Sequence, residues 1–112
     1  MAVRVLRFRS VNRDIFEAIK NGRKKIETRA ASPRYLPIKA GDVIIFVCGK
    51  SKFQKTVKSV EVFKTVSAIL KKYKPVQINP NTKTEKDARA MWNSFPGYAD
   101  KIRRYGLVAF KV

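Results

Sequence analysis

The segment Val43 to Val47 is an unbroken apolar run, rich in β-branched residues and bounded by Gly41-Asp42 on one side and Gly49-Lys50-Ser51 on the other. Turn residues at both ends and no polar alternation between them describe a strand buried on both faces, which belongs in the middle of a sheet. The remaining segments are read around that strand. Val3, Val5 and Phe8 interleave with Arg4, Arg7 and Arg9, the approximate alternation of a half-buried strand with a basic outer face. In Lys24 to Arg29, period two puts Ile26 and Thr28 on one side and Lys25, Glu27 and Arg29 on the other. Phe53 to Phe63 follows the Gly49 turn as the second arm of a hairpin, and Gly106 to Val112 ends the chain as an apolar strand.

Three helices are expected. Ser10 or Asn12 caps the first, with Val11, Ile15, Ala18 and Ile19 on one face and a stop at Lys20 and Gly22. Val66, Ile69, Leu70 and Tyr73 mark the second, and Ala88, Met91, Trp92 and Phe95 the third, each at helical spacing. Thr84 with Asp87 sets a capping box for the third, and Pro96-Gly97 ends it. Ala30 to Gly41 and Pro75 to Thr84 read as loops, the latter with Val76 and Ile78 tucked beneath it. The sum is an α+β chain of five or six short strands and three helices, arranged as a small mixed β-barrel with helices closing its ends. A length of 112 residues suits one domain, residues 1–112.

Charge restricts the function. Against 8 acidic residues stand 26 Lys and Arg, a net charge of +18. The cations are spread along the chain rather than gathered on one amphipathic helix, which favours a polyanion over a membrane surface as partner. The apolar runs are too short to span a bilayer, and a soluble, cytoplasmic monomer is expected. Histidine is absent, so the commonest acid/base near neutral pH and the Ser-His and Cys-His nucleophile pairs are excluded. The single cysteine, Cys48, reads as a small buried strand residue and permits neither a disulfide framework nor a cysteine-based metal cluster. No cofactor is expected.

One stretch carries a family pattern. Gly22-Arg23-Lys24-Lys25-Ile26-Glu27-Thr28-Arg29, followed by Ile38-Lys39-Ala40-Gly41-Asp42 and the Val43 run, resembles the ASCH sequence of helix, GxKxxExR strand, loop and hairpin entrance. Val60 to Leu70, Phe95-Pro96-Gly97-Tyr98 and Tyr105 to Phe110 are similar to later parts of small archaeal-type members. This resemblance implies a PUA-like β-barrel with a cleft, between barrel and helix, that binds RNA or a modified nucleoside. Gly22, Lys24, Glu27, Arg29, Gly41 and Asp42 match the pattern position by position.

Two readings follow. In the first, the domain binds nucleic acid. Lys24 and Lys25 sit at the strand entrance, where a flexible ammonium reaches a phosphate or base carbonyl, and Arg29 offers a planar fork. Glu27, on the face of Arg29, either orients that guanidinium through a salt bridge or meets the ligand itself. Tyr35, beside Arg34 in the loop, is the stacking candidate, and Trp92 and Phe95 are expected in the core. Lys50, Lys52 and Lys55, with Lys58, Lys71, Lys72 and Lys74, read as a surface that tracks a phosphodiester backbone. In the second reading the chain is a small hydrolase resembling N4-acetylcytidine amidohydrolases or ribonucleases. Glu27 is then the general base and Lys24 the oxyanion stabiliser, or Lys24 clamps phosphate with Tyr35 or Tyr98 as proton donor. The amidohydrolase-like pattern has Thr where this chain has Glu27.

Overall fold

The computed structural model describes residues 2–112. In chain order it contains β1 (Val3–Phe8), a 3-10 turn (Ser10–Asn12), α1 (Arg13–Lys20), β2 (Ile26–Ala30), β3 (Val43–Cys48), β4 (Ser51–Thr56), β5 (Ser59–Phe63), α2 (Val66–Lys72), α3 (Pro75–Ile78), α4 (Glu85–Ser94), α5 (Tyr98–Tyr105) and β6 (Leu107–Lys111). The strands form two three-stranded sheets, ordered β1-β3-β4 and β2-β6-β5. β1 runs parallel to β3, from Val3 opposite Val43 to Phe8 opposite Cys48. The other pairs are antiparallel. No helix among the described residues is long and apolar enough to cross a membrane.

The Val43 run is central to its sheet, as its composition predicts, and the C-terminal strand is central to the other. From Leu107 to Phe110 every residue of β6 is buried. Val108 and Phe110 enter a core with Leu6, Phe16, Ile44 and Phe46, where the two sheets and α1 meet. Leu107 and Ala109 enter a second core with Trp92, Ile69, Ile78 and Ile102, beneath α2 to α5. A strand covered on both faces has no polar side to show, which accounts for its continuous apolar sequence. Phe53 stacks on Phe46 at 4.9 Å between ring centres and meets Phe16 at the same distance. Such pairs add roughly 0.5 to 1.5 kcal/mol each beyond burial.

The expected closed barrel is not what these pairings make. Phe53 to Phe63, read as one arm of a hairpin, divides at Val57 and passes from one sheet to the other. The Val57 N–H donates to the Asp42 carbonyl at 2.8 Å and the Lys58 N–H to that of Lys111 at 2.7 Å. β4 and β5 thus join the sheets through the chain itself, whereas the opposite edges, β1 and β2, are not paired and leave an open seam. Periodicity identifies a strand but not the strand it bonds to.

Five helices stand where three are expected. α3 covers four residues, too few for a periodic stripe. α5 is polar, with Ile102 its one buried residue, but Gly97 precedes it, Asp100 lies in its first turn, Arg103 and Arg104 in its last, and Gly106 follows. At the first helix neither Ser10 nor Asn12 supplies a side-chain cap, and Val11 points to solvent at 72% exposure rather than joining the apolar face. Thr84 and Asp87 do form the expected reciprocal capping box. Ile78 is buried as anticipated, while Val76 is exposed.

Candidate nucleic-acid interface

The seam between β1 and β2 opens into a cleft of about 300 Å³. Arg7 and Phe8 border it from β1, Arg9 from just beyond that strand, and Lys24, Glu27, Thr28 and Arg29 from β2 and its approach. Ile78 and Asn79 close one end, and Met91, Phe95 and Tyr98 form the far wall. Phe95 and Tyr98 meet edge to face at 5.2 Å across the turn at Gly97, whose φ of 73° is available to glycine at little cost. Arg29 of the second sheet lies 5.0 Å over the ring of Phe8 in the first. Side chains therefore span the seam where the backbone does not.

The floor is an ion-pair network built by local sequence. Gly22, at φ 85°, reverses the chain after α1, and the Lys24 N–H then donates to the Ala18 carbonyl at 2.9 Å. This turn folds the lysine inward, where it is 3% exposed. Its ammonium donates to the Ile26 carbonyl at 2.5 Å and to the Ile78 carbonyl, and stands 3.4 Å from Glu27 Oε1. An ammonium has three protons, and three acceptors surround this one. Burial lowers the Lys24 pKa; Glu27 opposes that shift and the neighbouring Arg29 charge adds to it. Glu27 is itself buried. Its Oε1 also accepts from the Thr28 N–H at 3.1 Å, and its Oε2 from Arg29 Nη2 at 3.1 Å.

The pair Glu27 and Arg29 is the one that i, i+2 spacing on a strand allows. Burial, the largest single influence, works to lower the Arg29 pKa, but Glu27, Tyr98 and Tyr35 together outweigh it and the net shift is upward. Its guanidinium also lies 5.9 Å over Tyr35. Beyond Glu27 it has no hydrogen-bonding partner among the described residues, so part of its fork is open to a ligand. Burial raises the Tyr98 pKa, against the pull of Arg29, and keeps its hydroxyl protonated.

The predicted residues are thus divided. Lys24, Glu27 and Arg29 share the cleft, but Lys24 is a buried brace rather than the flexible, reaching ammonium expected at a strand entrance. Lys25 is exposed and lies outside the cleft, although period two would put it on the face of Glu27 and Arg29, because β2 begins only at Ile26 and the alternation does not extend back to it. Arg34 and Tyr35 line a separate groove along the other half of β1. Lys50 lies at the β3–β4 turn and Lys52 and Lys55 on β4, which β3 separates from β1, so this patch is not part of the cleft. Sequence reasoning missed Asn12, Asn79 and Met91 as lining residues, while Phe95, expected to pack, is half-buried against the second core and also lines the cleft. Arg7, Phe8 and Arg9, at the end of β1 and just beyond it, were legible as a basic face, but nothing local says that they border β2.

Chemically, the lining of the cleft combines apolar and aromatic side chains with Arg7, Arg9 and the partly open guanidinium of Arg29. Among the described residues no group of three or more His, Cys, Asp or Glu can hold a metal ion. The Lys24 ammonium and the Glu27 carboxylate are each committed to neighbours, which is the arrangement of a scaffold rather than of a free acid and base.

Solved structures share the whole architecture. The crystal structure of the hypothetical protein PH0355 from Pyrococcus superposes with a TM-score of 0.78 at 28% identity, covering 99% of this chain and 96% of that one. The solution structure of protein PF0455 from Pyrococcus furiosus gives 0.71 at 29% identity, covering 98% and 93%. No curated relative matches the sequence. The family model of the ASCH domain, a family generally linked to RNA binding, matches residues 10–112, from the 3-10 turn after β1 to the last strand. With the GxKxxExR strand folded into the floor of the cleft and that match spanning nearly all of the chain, this protein belongs to the ASCH domain family.

Proposed function

We propose that this protein binds single-stranded RNA and admits one unstacked base into the β1–β2 cleft. The carrying observation is the combination in one cavity of aromatic and thioether side chains with the guanidinium groups of Arg7, Arg9 and, from the floor, Arg29. A base buries its faces against Phe8, Met91 and Phe95, its phosphates meet the arginines, and Asn12, Asn79 and Thr28 offer polar groups to its edge. A duplex keeps its bases stacked and cannot supply one to a cleft of this kind. Lys24 and Glu27 act as positioning residues that hold Arg29 and the α3 end in place. Lys25, Arg34, Tyr35, Lys50, Lys52 and Lys55 lie outside the cleft and supply outer contacts and the long-range field of a +18 molecule. A hydrolase reading is not pursued, because Lys24 and Glu27 are bound to each other and to the backbone, and the ribonuclease-like version needs as its phosphate clamp a Lys24 that is buried.

Fluorescence anisotropy with a labelled single-stranded RNA, the matching duplex and a salt series tests this. Single strand is expected to bind more tightly than duplex, and log affinity is expected to fall linearly with log salt. Arg7→Gln with Arg9→Gln is expected to weaken binding about tenfold or more, from the loss of charge-assisted contacts. Equal binding of duplex, a flat salt response, or full affinity in the double variant would overturn the proposal.

A further inference from the structure

A second cavity, of about 290 Å³, lies beside the first half of β1 and is lined by Val3, Arg4, Val5, Arg34, Tyr35 and Ile38. Its most unusual feature is Arg4. Among the described residues, the Arg4 Nε is the sole buried side-chain nitrogen or oxygen without a hydrogen-bonding partner. An unpaired buried guanidinium N–H is costly, and Arg4 as a residue is only half-buried and lines the groove. The neighbouring carboxylate, Asp42, is not its partner. Its two oxygens accept from the N–H groups of Ala2 at 3.0 Å and Lys39 at 2.9 Å, and no ion pair joins it to Arg4. A second guanidinium, that of Arg34, also lines the groove, 5.5 Å over the ring of Tyr35.

The groove and the cleft are not independent. Tyr35 lies under Arg34 on the groove side and within 5.9 Å of Arg29 on the cleft side. β1 borders both, with Arg4 at the groove and Phe8 at the cleft. Four residue steps of strand separate those two side chains, about 13 Å at roughly 3.3 Å per residue. The edge between them is unpaired. Because the Val43 N–H donates to the Ala2 carbonyl, the backbone groups of Arg4 and Leu6 turn toward β3, and those of Val3, Val5 and Arg7 turn to the open side. Exposed Val3 and Val5 side chains add an apolar surface beside that line of backbone donors and acceptors.

We propose that the groove is a second, phosphate-binding subsite, in which Arg4 and Arg34 hold a backbone phosphate of the same strand whose base occupies the cleft. The occupant of the whole track is then an oligonucleotide laid along the free edge of β1, because a mononucleotide does not reach from one site to the other. This rests on the RNA-binding reading of the cleft and adds the direction the strand takes on leaving it.

The test compares uridine 5′-monophosphate with a single-stranded uridine hexanucleotide by calorimetry, on wild type, Arg34→Gln, Arg4→Gln with Arg34→Gln, and a control with Lys83→Gln and Lys86→Gln. Arg34 is exposed, so Arg34→Gln alone keeps the test available should the double variant fold poorly. The double variant is expected to bind the hexanucleotide about tenfold more weakly, and Arg34→Gln about threefold, from lost charge-assisted bonds. The mononucleotide should bind all four proteins alike, and the control should weaken the hexanucleotide less than Arg34→Gln does. If both groove variants bind the hexanucleotide no more weakly than the control while Arg7→Gln with Arg9→Gln still loses affinity, the subsite is wrong and the cleft reading stands. Equal weakening of both ligands would also overturn a separate subsite. If wild type binds neither ligand, the underlying reading falls and takes the subsite with it.

Discussion

Replacing Lys24 by Met tests whether the floor of the cleft is a structural brace. The side chains of Lys24 and Glu27 are 2% and 7% exposed, so the pair is buried. Methionine fills much of the same volume but cannot donate. The Ile26 and Ile78 carbonyls lose their ammonium donor, and Glu27 keeps only the Thr28 N–H and Arg29. Removing one partner of a buried ion pair costs about 3 to 5 kcal/mol, chiefly because the remaining charge stays desolvated. With a urea dependence of roughly 2 kcal/mol per molar, the unfolding midpoint is expected to fall by about 1.5 to 2.5 M. The second arm combines Lys24→Met and Glu27→Leu with Arg29→Met, which removes all three charges of the network. It should recover a large part of the loss, since apolar replacement of a whole buried ion network is often neutral. A single-variant cost below about 1 kcal/mol would place the pair in the range of exposed salt bridges and refute the brace. A triple variant no better than the single one would show that the charge left behind on Glu27 is not the cause.

Two further outcomes follow from local geometry. Gly106 has φ 79° and ψ −161°, and a Cβ there would run into the Phe63 carbonyl oxygen; Gly106→Ala is therefore expected to cost about 2 kcal/mol or more in urea unfolding, and an unchanged midpoint would contradict the backbone geometry. Hydrogen bonds from the Ala2 and Lys39 N–H groups hold the Asp42 pKa below its ordinary value. A carboxyl whose folded pKa is depressed stabilises the fold above its unfolded pKa and loses that contribution as pH falls through the folded value. Asp42→Asn is thus expected to flatten the acid limb of a stability–pH profile below about pH 4, and an acid limb as steep as that of the wild type would refute this assignment.

Much of the framework was legible in the residues. The Val43 run, the apolar stripes of α2 and α4 and the Thr84 cap each report a local preference that the fold keeps, whereas β1 forms as a strand but exposes Val3 and Val5 and partly buries Arg4, the reverse of the faces its alternation suggested. The octet from Gly22 to Arg29 also pointed to the cleft, since three of its charged residues line it. The reading of Lys24 failed for a physical reason. A lysine next to a turn looks mobile in sequence, and only the distant Ile78 carbonyl and the covering helices bury it. α5 escaped because its stripe is a single buried isoleucine, so its capping residues were the informative signal.

The sequence alone determined the alternation of strands and helices, the cationic field and the absence of histidine chemistry, because these depend on residue type and short-range spacing. Tertiary structure decided that β1 and β2 remain unpaired, that Phe8 meets Arg29, and that Lys50, Lys52 and Lys55 lie away from the cleft. Strand partnership is settled by long-range hydrogen bonding and core packing, and no window of neighbouring residues contains that information.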